Sequence, residues 1–182
     1  KKNIVDINVI PAMIFSGGHV LKDIPEIIKK FKNKNKSIKI TIRKSLLNKK
    51  NFLSLIKTNL SEFIYNKKKD FLIVVASNTI STIAKTQIKQ IKSNLTRHFK
   101  FKNSAFFLIG SDSNSLKQKI INLNKQTHCC NFIVVPIFLF RGRLLQNCKK
   151  VRSELRKRNK NINYYLAPHI NNYHKISQLI KI

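Results

Sequence analysis

VIPAMIFSGGH, Val9–His19, returns 125 residues later as VVPIFLFRGRL, Val134–Leu144. Aligning Pro11 with Pro136 sets Ile10 on Val135, Phe15 on Phe140 and Gly17 on Gly142. Each copy reads as an apolar strand, a glycine-containing turn and the start of a segment with helical spacing. The correspondence continues downstream, where Ser37–Ile42 falls on Ile162–Ala167, and LSLIK (Leu53–Lys57) falls on QLIKI (Gln178–Ile182) within a residue or two. Two copies of one module explain this better than coincidence.

Apolar runs of strand length occur at Ile4–Phe15, Ile38–Ile42, Phe71–Ala76, Ala105–Ile109, Phe132–Phe140 and Ile162–Ala167. They are rich in Ile, Val and Phe and mostly lack strict alternation, the pattern of strands covered on both faces. Between them lie segments of helical spacing: Val20–Phe31, Phe52–Tyr65, Ile80–Phe99, Leu116–Leu123, Leu144–Arg158 and Tyr173–Ile180. In the first of these, Ile24, Ile27, Ile28 and Phe31 share one face. The alternation predicts an α/β fold of two tandem modules, each a mostly parallel sheet flanked by helices.

Asn66–Asp70, between a helix and a strong strand, is the expected boundary. It separates a first unit over residues 1–66 from a second over residues 70–182. Under the same offset Lys1 corresponds to Gln126, so the first module lacks counterparts of Asp70–Lys125. The chain therefore reads as N-terminally incomplete.

Composition narrows the function classes. The 182 residues carry 37 Lys+Arg against 7 Asp+Glu, a net charge of +30, which would attract polyanions. Only seven of the cations are arginine, and the lysines are scattered, as in KKFKNKNK (Lys29–Lys36) and NKKK (Asn66–Lys69). With 21 asparagines and no tryptophan, this is the bias of an AT-rich genome. Phosphate and base recognition favours arginine, and single-strand binders interleave aromatics with cations, so nucleic acid is a disfavoured partner. No apolar stretch reaches the roughly 18–20 residues of a membrane span, and a soluble protein is expected. Cys129, Cys130 and Cys148 are odd in number and lack C-x-x-C spacing, which suits free thiols in a reducing compartment. Gly110-Ser111-Asp112-Ser113 lacks the arrangement of a phosphate-cradling loop.

In open α/β sheets, ligands bind at the carboxyl ends of the strands, which is where both turns lie. The first turn reads Ser16-Gly17-Gly18-His19. Two glycines permit an unusual backbone path, and His19 would present its imidazole at the mouth of the sheet as metal ligand or proton acceptor. The same residues also suit a plain tight turn with His19 capping a helix. On these residues alone both readings stand.

The run IVDINVIPAMIFSGGHVLKDIPEII, Ile4–Ile28, resembles the hallmark of the sirohydrochlorin chelatases, class II enzymes that insert cobalt or ferrous iron into sirohydrochlorin. In that family an apolar strand with a proline leads into G-x-H-x-x-x-D-I-P, matched here by His19, Asp23, Ile24 and Pro25. DFLIVVASNTIS (Asp70–Ser81), FFLIGSDSNSLKQKI (Phe106–Ile120), NFIVVPIFLFRGRLL (Asn131–Leu145) and LAPHINNY (Leu166–Tyr173) are similar to successive parts of the second half of its long, two-module form. The departures are specific. The family's other metal-binding histidine belongs to a G-H-G-S-R motif that would precede Lys1. The related position of the second module reads Val75-Ala76-Ser77-Asn78, and Leu144 stands where His19 stands in the first.

The resemblance implies ATP-independent insertion of Co²⁺ or Fe²⁺, in cobalamin or siroheme biosynthesis. The metal is a substrate, with no permanently bound cofactor. His19 is the expected metal ligand and catalytic residue. Lys22, Arg141 and Arg143 flank the two turns and are expected, with His169, to hold the carboxylates of sirohydrochlorin. Expected partners are the polyanionic tetrapyrrole but no membrane, with a homo-oligomer left open. The expected location is a plastid stroma or a bacterial cytoplasm. Two rival readings are an inactive structural protein on the chelatase fold and a basic organellar RNA-binding protein.

Overall fold

The computed structural model describes residues 5–48, 51–65 and 70–170. The first copy gives strand β1 (Asp6–Val9), a π-turn (His19–Asp23) that continues into helix α1 (Ile24–Lys34), and strand β2 (Lys39–Ile42). A 3-10 turn (Leu46–Asn48) then precedes α2 (Phe52–Tyr65). The remainder alternates β3 (Phe71–Ser77), α3 (Thr82–Phe99), β4 (Asn103–Ile109), α4 (Ser113–Thr127), β5 (Asn131–Pro136), α5 (Arg143–Arg158) and β6 (Asn163–Leu166). All six expected strands are present. The helical run expected at Tyr173–Ile180, its partner QLIKI, and most of the boundary segment Asn66–Asp70 lie outside the described residues.

Every pairing is parallel, in a two-stranded sheet β1-β2 and a four-stranded sheet β4-β3-β5-β6. β3 and β5 are central and buried on both faces, as their unbroken apolar runs require. Their side chains divide by parity. Leu72, Val74, Ala76, Ile133 and Val135 face α3, together with Phe52, Ile56, Leu60 and Ile64 of α2. Phe71, Ile73, Val75, Phe132 and Val134 face α4 and α5. The last helix of the first unit thus completes the core of the second, where burial stabilises each such side chain by roughly 1.5–3 kcal/mol.

The duplication is reproduced bond for bond. Asp6 pairs with Lys39 as Asn131 pairs with Asn163. Arg43 N donates to Val9 O at 2.8 Å, and Ala167 N donates to Val134 O at 2.9 Å. Leu46 N reaches Met13 O at 2.8 Å, and Ile170 N reaches Phe138 O at 3.2 Å. The helix starts correspond as well, Leu21 N to Gly17 O at 3.0 Å and Gln146 N to Gly142 O at 3.1 Å. After the helices the offset has fallen by one residue, since Ile38 N donates to Asn35 O as Ile162 N donates to Asn159 O. The first copy therefore holds one more residue between turn and strand. The π-turn takes it up: Ile24 N bonds His19 O, one residue further back than in an α-helix.

Cover differs between the copies. β1 and β2 are half exposed, contrary to the expectation of strands covered on both faces. β5 lies between β3 and β6, and α4 packs on α5, whereas among the described residues β1 pairs only with β2 and α1 has no counterpart of α4.

Candidate functional site

The segments leaving β1, β3 and β5 at their carboxyl ends enclose a cleft of about 710 Å³. Met13, Phe15, Ile80, Phe138, Phe140 and Leu144 make its walls largely apolar, and His19 and Asp23 supply polar groups. Ile80 and Phe140 are exposed, leaving two large apolar side chains in contact with water at the mouth.

The loop before His19 is fixed at several points. Met13 O and Ile14 O accept from Leu46 N and Leu47 N. Ser16 N donates to the Gln87 Oε1 of α3 at 2.9 Å, and Ser16 Oγ lies 2.9 Å from Ser45 Oγ, both inside the protein. Gln87, Ser16 and Ser45 are buried polar residues that periodicity cannot single out. Their positions depend on α3 packing against the loop of the other copy.

Gly17 and Gly18 correct the expectation of an unusual backbone path. No glycine has a positive φ, and Gly18 sits at −51°, −44°, ordinary helical geometry. A Cβ at either position would meet nothing within 4 Å. Both residues line the cleft, so the missing side chains leave space there.

His19 opens the π-turn with its side chain 78% exposed, and its Nδ1 lies 2.5 Å from Asp23 Oδ2. A carboxylate on Nδ1 fixes that nitrogen as the donor and leaves the Nε2 lone pair available. The four-residue spacing of His19 and Asp23 carries this contact in the sequence, where Asp23 stands only as part of the G-x-H-x-x-x-D-I-P match. Among the described residues no group of three His, Cys, Asp or Glu side chains could hold a metal ion. His19 thus offers one directed nitrogen, not a closed cage.

The other expected site residues divide. Lys22 and Arg143 are exposed at the two helix starts, and neither lines the cleft. Arg141 and His169 border a different groove, on the α5 and β6 side. His169 is buried, with Nε2 lacking a hydrogen-bond partner among the described residues. Burial first, and then the charges of Arg141 and Lys149, hold its pKa below the ordinary value.

Two further groups have structural roles. Asp112 caps α4 through the backbone N–H groups of Asn114 and Ser115. Cys148 is buried in the core facing α4, where burial pushes its thiol up to about 12. No helix among the described residues is long and apolar enough to cross a membrane.

The CbiX family profile matches residues 1–63 and 73–182. No curated protein sequence matches the chain. Among solved structures, SirB from Bacillus subtilis with Fe³⁺ superposes with a TM-score of 0.75 at 17% identity, covering 97% of this chain and 69% of that one. The sirohydrochlorin chelatase SirB from Bacillus subtilis subspecies spizizenii, in complex with cobalt, gives 0.71 at 18% identity over 97% and 67%. CbiX, the terminal enzyme for biosynthesis of siroheme in denitrifying bacteria, gives 0.69 at 10% identity over 98% and 74%. At these identities the structural likeness establishes the fold.

Proposed function

The chain belongs to the CbiX family, and from that premise we propose that it inserts Co²⁺ or Fe²⁺ into a sirohydrochlorin-type tetrapyrrole without ATP. The observation that carries the reading is the His19–Asp23 pair at the edge of a cleft whose walls are largely apolar, with Ser77, Asn78 and Thr79 adding polar groups at the end of β3. The cleft volume falls within the range of small-molecule sites. Its apolar walls suit the faces of a planar macrocycle.

The chemistry follows from the arrangement. Insertion exchanges two pyrrole N–H protons for one divalent ion, so the site must present a metal and take up protons. With Asp23 on Nδ1, the Nε2 lone pair is left to bind the ion and, once the ion is handed on, to accept one proton, the second passing to water at the open mouth of the cleft. A single directed ligand suits a metal that must be handed on, since a closed set of four would retain it. Leu144, at the matching place in the second copy, offers apolar contact only. Lys22 and Arg143, exposed at the two helix starts, are proposed to meet peripheral carboxylates of the substrate.

The test is metal insertion followed by absorbance, with sirohydrochlorin and Co²⁺ or Fe²⁺ in the absence of ATP. Insertion by the unmutated protein and its loss in His19→Ala are expected. A rate for the unmutated protein no faster than the uncatalysed reaction would remove the enzymatic reading and leave that of an inactive protein on the chelatase fold.

A further inference from the structure

The groove bordered by Arg141 and His169 is separate from the His19 cleft and has a volume of about 870 Å³. Arg141, Lys149, Arg152, Arg156 and Lys157 line it. None of the five has an ion-pair or hydrogen-bond partner among the described residues. Lys149, Arg152 and Arg156, at spacings of three and four, stand on one face of α5. The one acid of that helix, Glu154, is engaged by Lys117 at 2.7 Å and Lys150 at 3.8 Å and does not line the groove.

Composition sets this cluster apart from the rest of the positive charge. Lysine is scattered through the chain, whereas five of its seven arginines fall within residues 141–158. A codon bias toward lysine does not produce that concentration. Arginine is also the cation whose planar fork matches carboxylate and phosphate oxygens in pairs.

A second observation points to a ligand. His169 lines the same groove at 4% exposure, and its Nε2 is one of two buried side-chain atoms without a hydrogen-bond partner among the described residues. The other is Tyr164 Oη. Tyr164 lines an adjoining cavity of about 370 Å³ that shares Arg152 and Arg156 with the groove. A buried polar atom left unpaired is unfavourable, and a hydrogen bond to a bound oxyanion would offset that cost. Phe63, Leu145 and Leu166 form an apolar wall beside the cations.

We propose that the groove between α5 and β6 binds an organic polyanion, an apolar body bearing two or more carboxylates or phosphates, with the α5 arginines supplying charge and His169 the directional hydrogen bond. Lys149 and Arg141 meet the acid groups nearest His169, and Arg152 and Arg156 meet those further along the helix. The apolar wall covers the body of the ligand.

The experiment uses benzene-1,3,5-tricarboxylate, which has such a body, and tripolyphosphate, which lacks one. Both are titrated into the 182-residue protein by calorimetry and by proton NMR of the imidazole signals, with His169 assigned through His169→Gln. Neither titration contains metal or tetrapyrrole, so the outcome is independent of the insertion assay. Saturable one-to-one binding of the tricarboxylate is expected, tighter than that of tripolyphosphate and accompanied by movement of the His169 signals. Arg152→Gln/Arg156→Gln weakens it by roughly tenfold or more, while Lys29→Gln/Lys30→Gln, which removes two exposed charges from α1, leaves it unchanged. Equal weakening by the two double variants, an unmoved His169, or tighter binding of tripolyphosphate would each overturn the proposal. The signals of unmutated protein supply the second measurement should the arginine variant fold poorly.

Discussion

The two copies share a backbone and differ in what surrounds it. Ile27 and Phe31 are 64% and 41% exposed. Their counterparts Val151 and Leu155 are both fully buried, packed in the core that α4 and the four-stranded sheet complete. An apolar stripe thus specifies a helix and its inward face but not the element that covers that face. The site diverges in the same way. One copy places His19 and Asp23 at its helix start, and the other places Arg143 and Leu144 at the corresponding turn.

The largest expected effect sets His19 against Leu144. His19→Ala should lower the insertion rate by roughly two to four orders of magnitude, the scale of losing a positioned acid-base group. Leu144→Ala should keep the rate within about tenfold. Equal losses would show that the copies contribute alike. Next comes the stability of the two helix faces, read from denaturant unfolding. Leu155→Ala leaves a cavity in a closed core and should cost about 2–5 kcal/mol. Phe31→Ala in the 182-residue chain should cost about 1 kcal/mol or less, as at other exposed positions. A cost for Phe31 as large as that for Leu155 would mean that α1 is covered in solution.

Asp23→Asn sharpens the reading of the first copy. It keeps the size of the side chain and removes the charge behind the imidazole, and should reduce metal affinity or activity by about 10–100-fold. The smallest effect concerns His169, whose counterpart is Ser45. Because its folded pKa lies below the ordinary 6.5, the unfolded chain binds a proton that the folded protein resists. Its contribution to stability is therefore present above that value and lost as pH falls through the folded pKa. Between about pH 7 and about pH 5 the Tm of the unmutated protein should drop further than that of His169→Gln, by on the order of a few °C. Parallel curves would contradict the assignment.

Much of this architecture is legible in the sequence because the central strands are buried on both faces. Phe71–Ala76 and Phe132–Pro136 are unbroken apolar runs, and no helix of that length would need every side chain buried. Helix ends are less visible. α4 runs from Ser113 to Thr127, well beyond the apolar span Leu116–Leu123, because its first turn depends on the Asp112 cap and its last on polar residues. The place of His19 at the carboxyl end of the sheet was legible from the strand and glycine turn before it. The separation of Arg141 and His169 from that site was not, since a residue's side of the strand ends depends on the path of the chain through the turn.

The π-turn has a further consequence, seen in the history of a duplicated gene. An added residue in a regular helix would turn everything after it by about 100° and carry the following strand out of pairing. Here the extra residue, three nucleotides of coding sequence, is contained within His19–Asp23, and β2 still meets β1 as β6 meets β5. One copy could therefore change length at its reactive end while both kept a common frame.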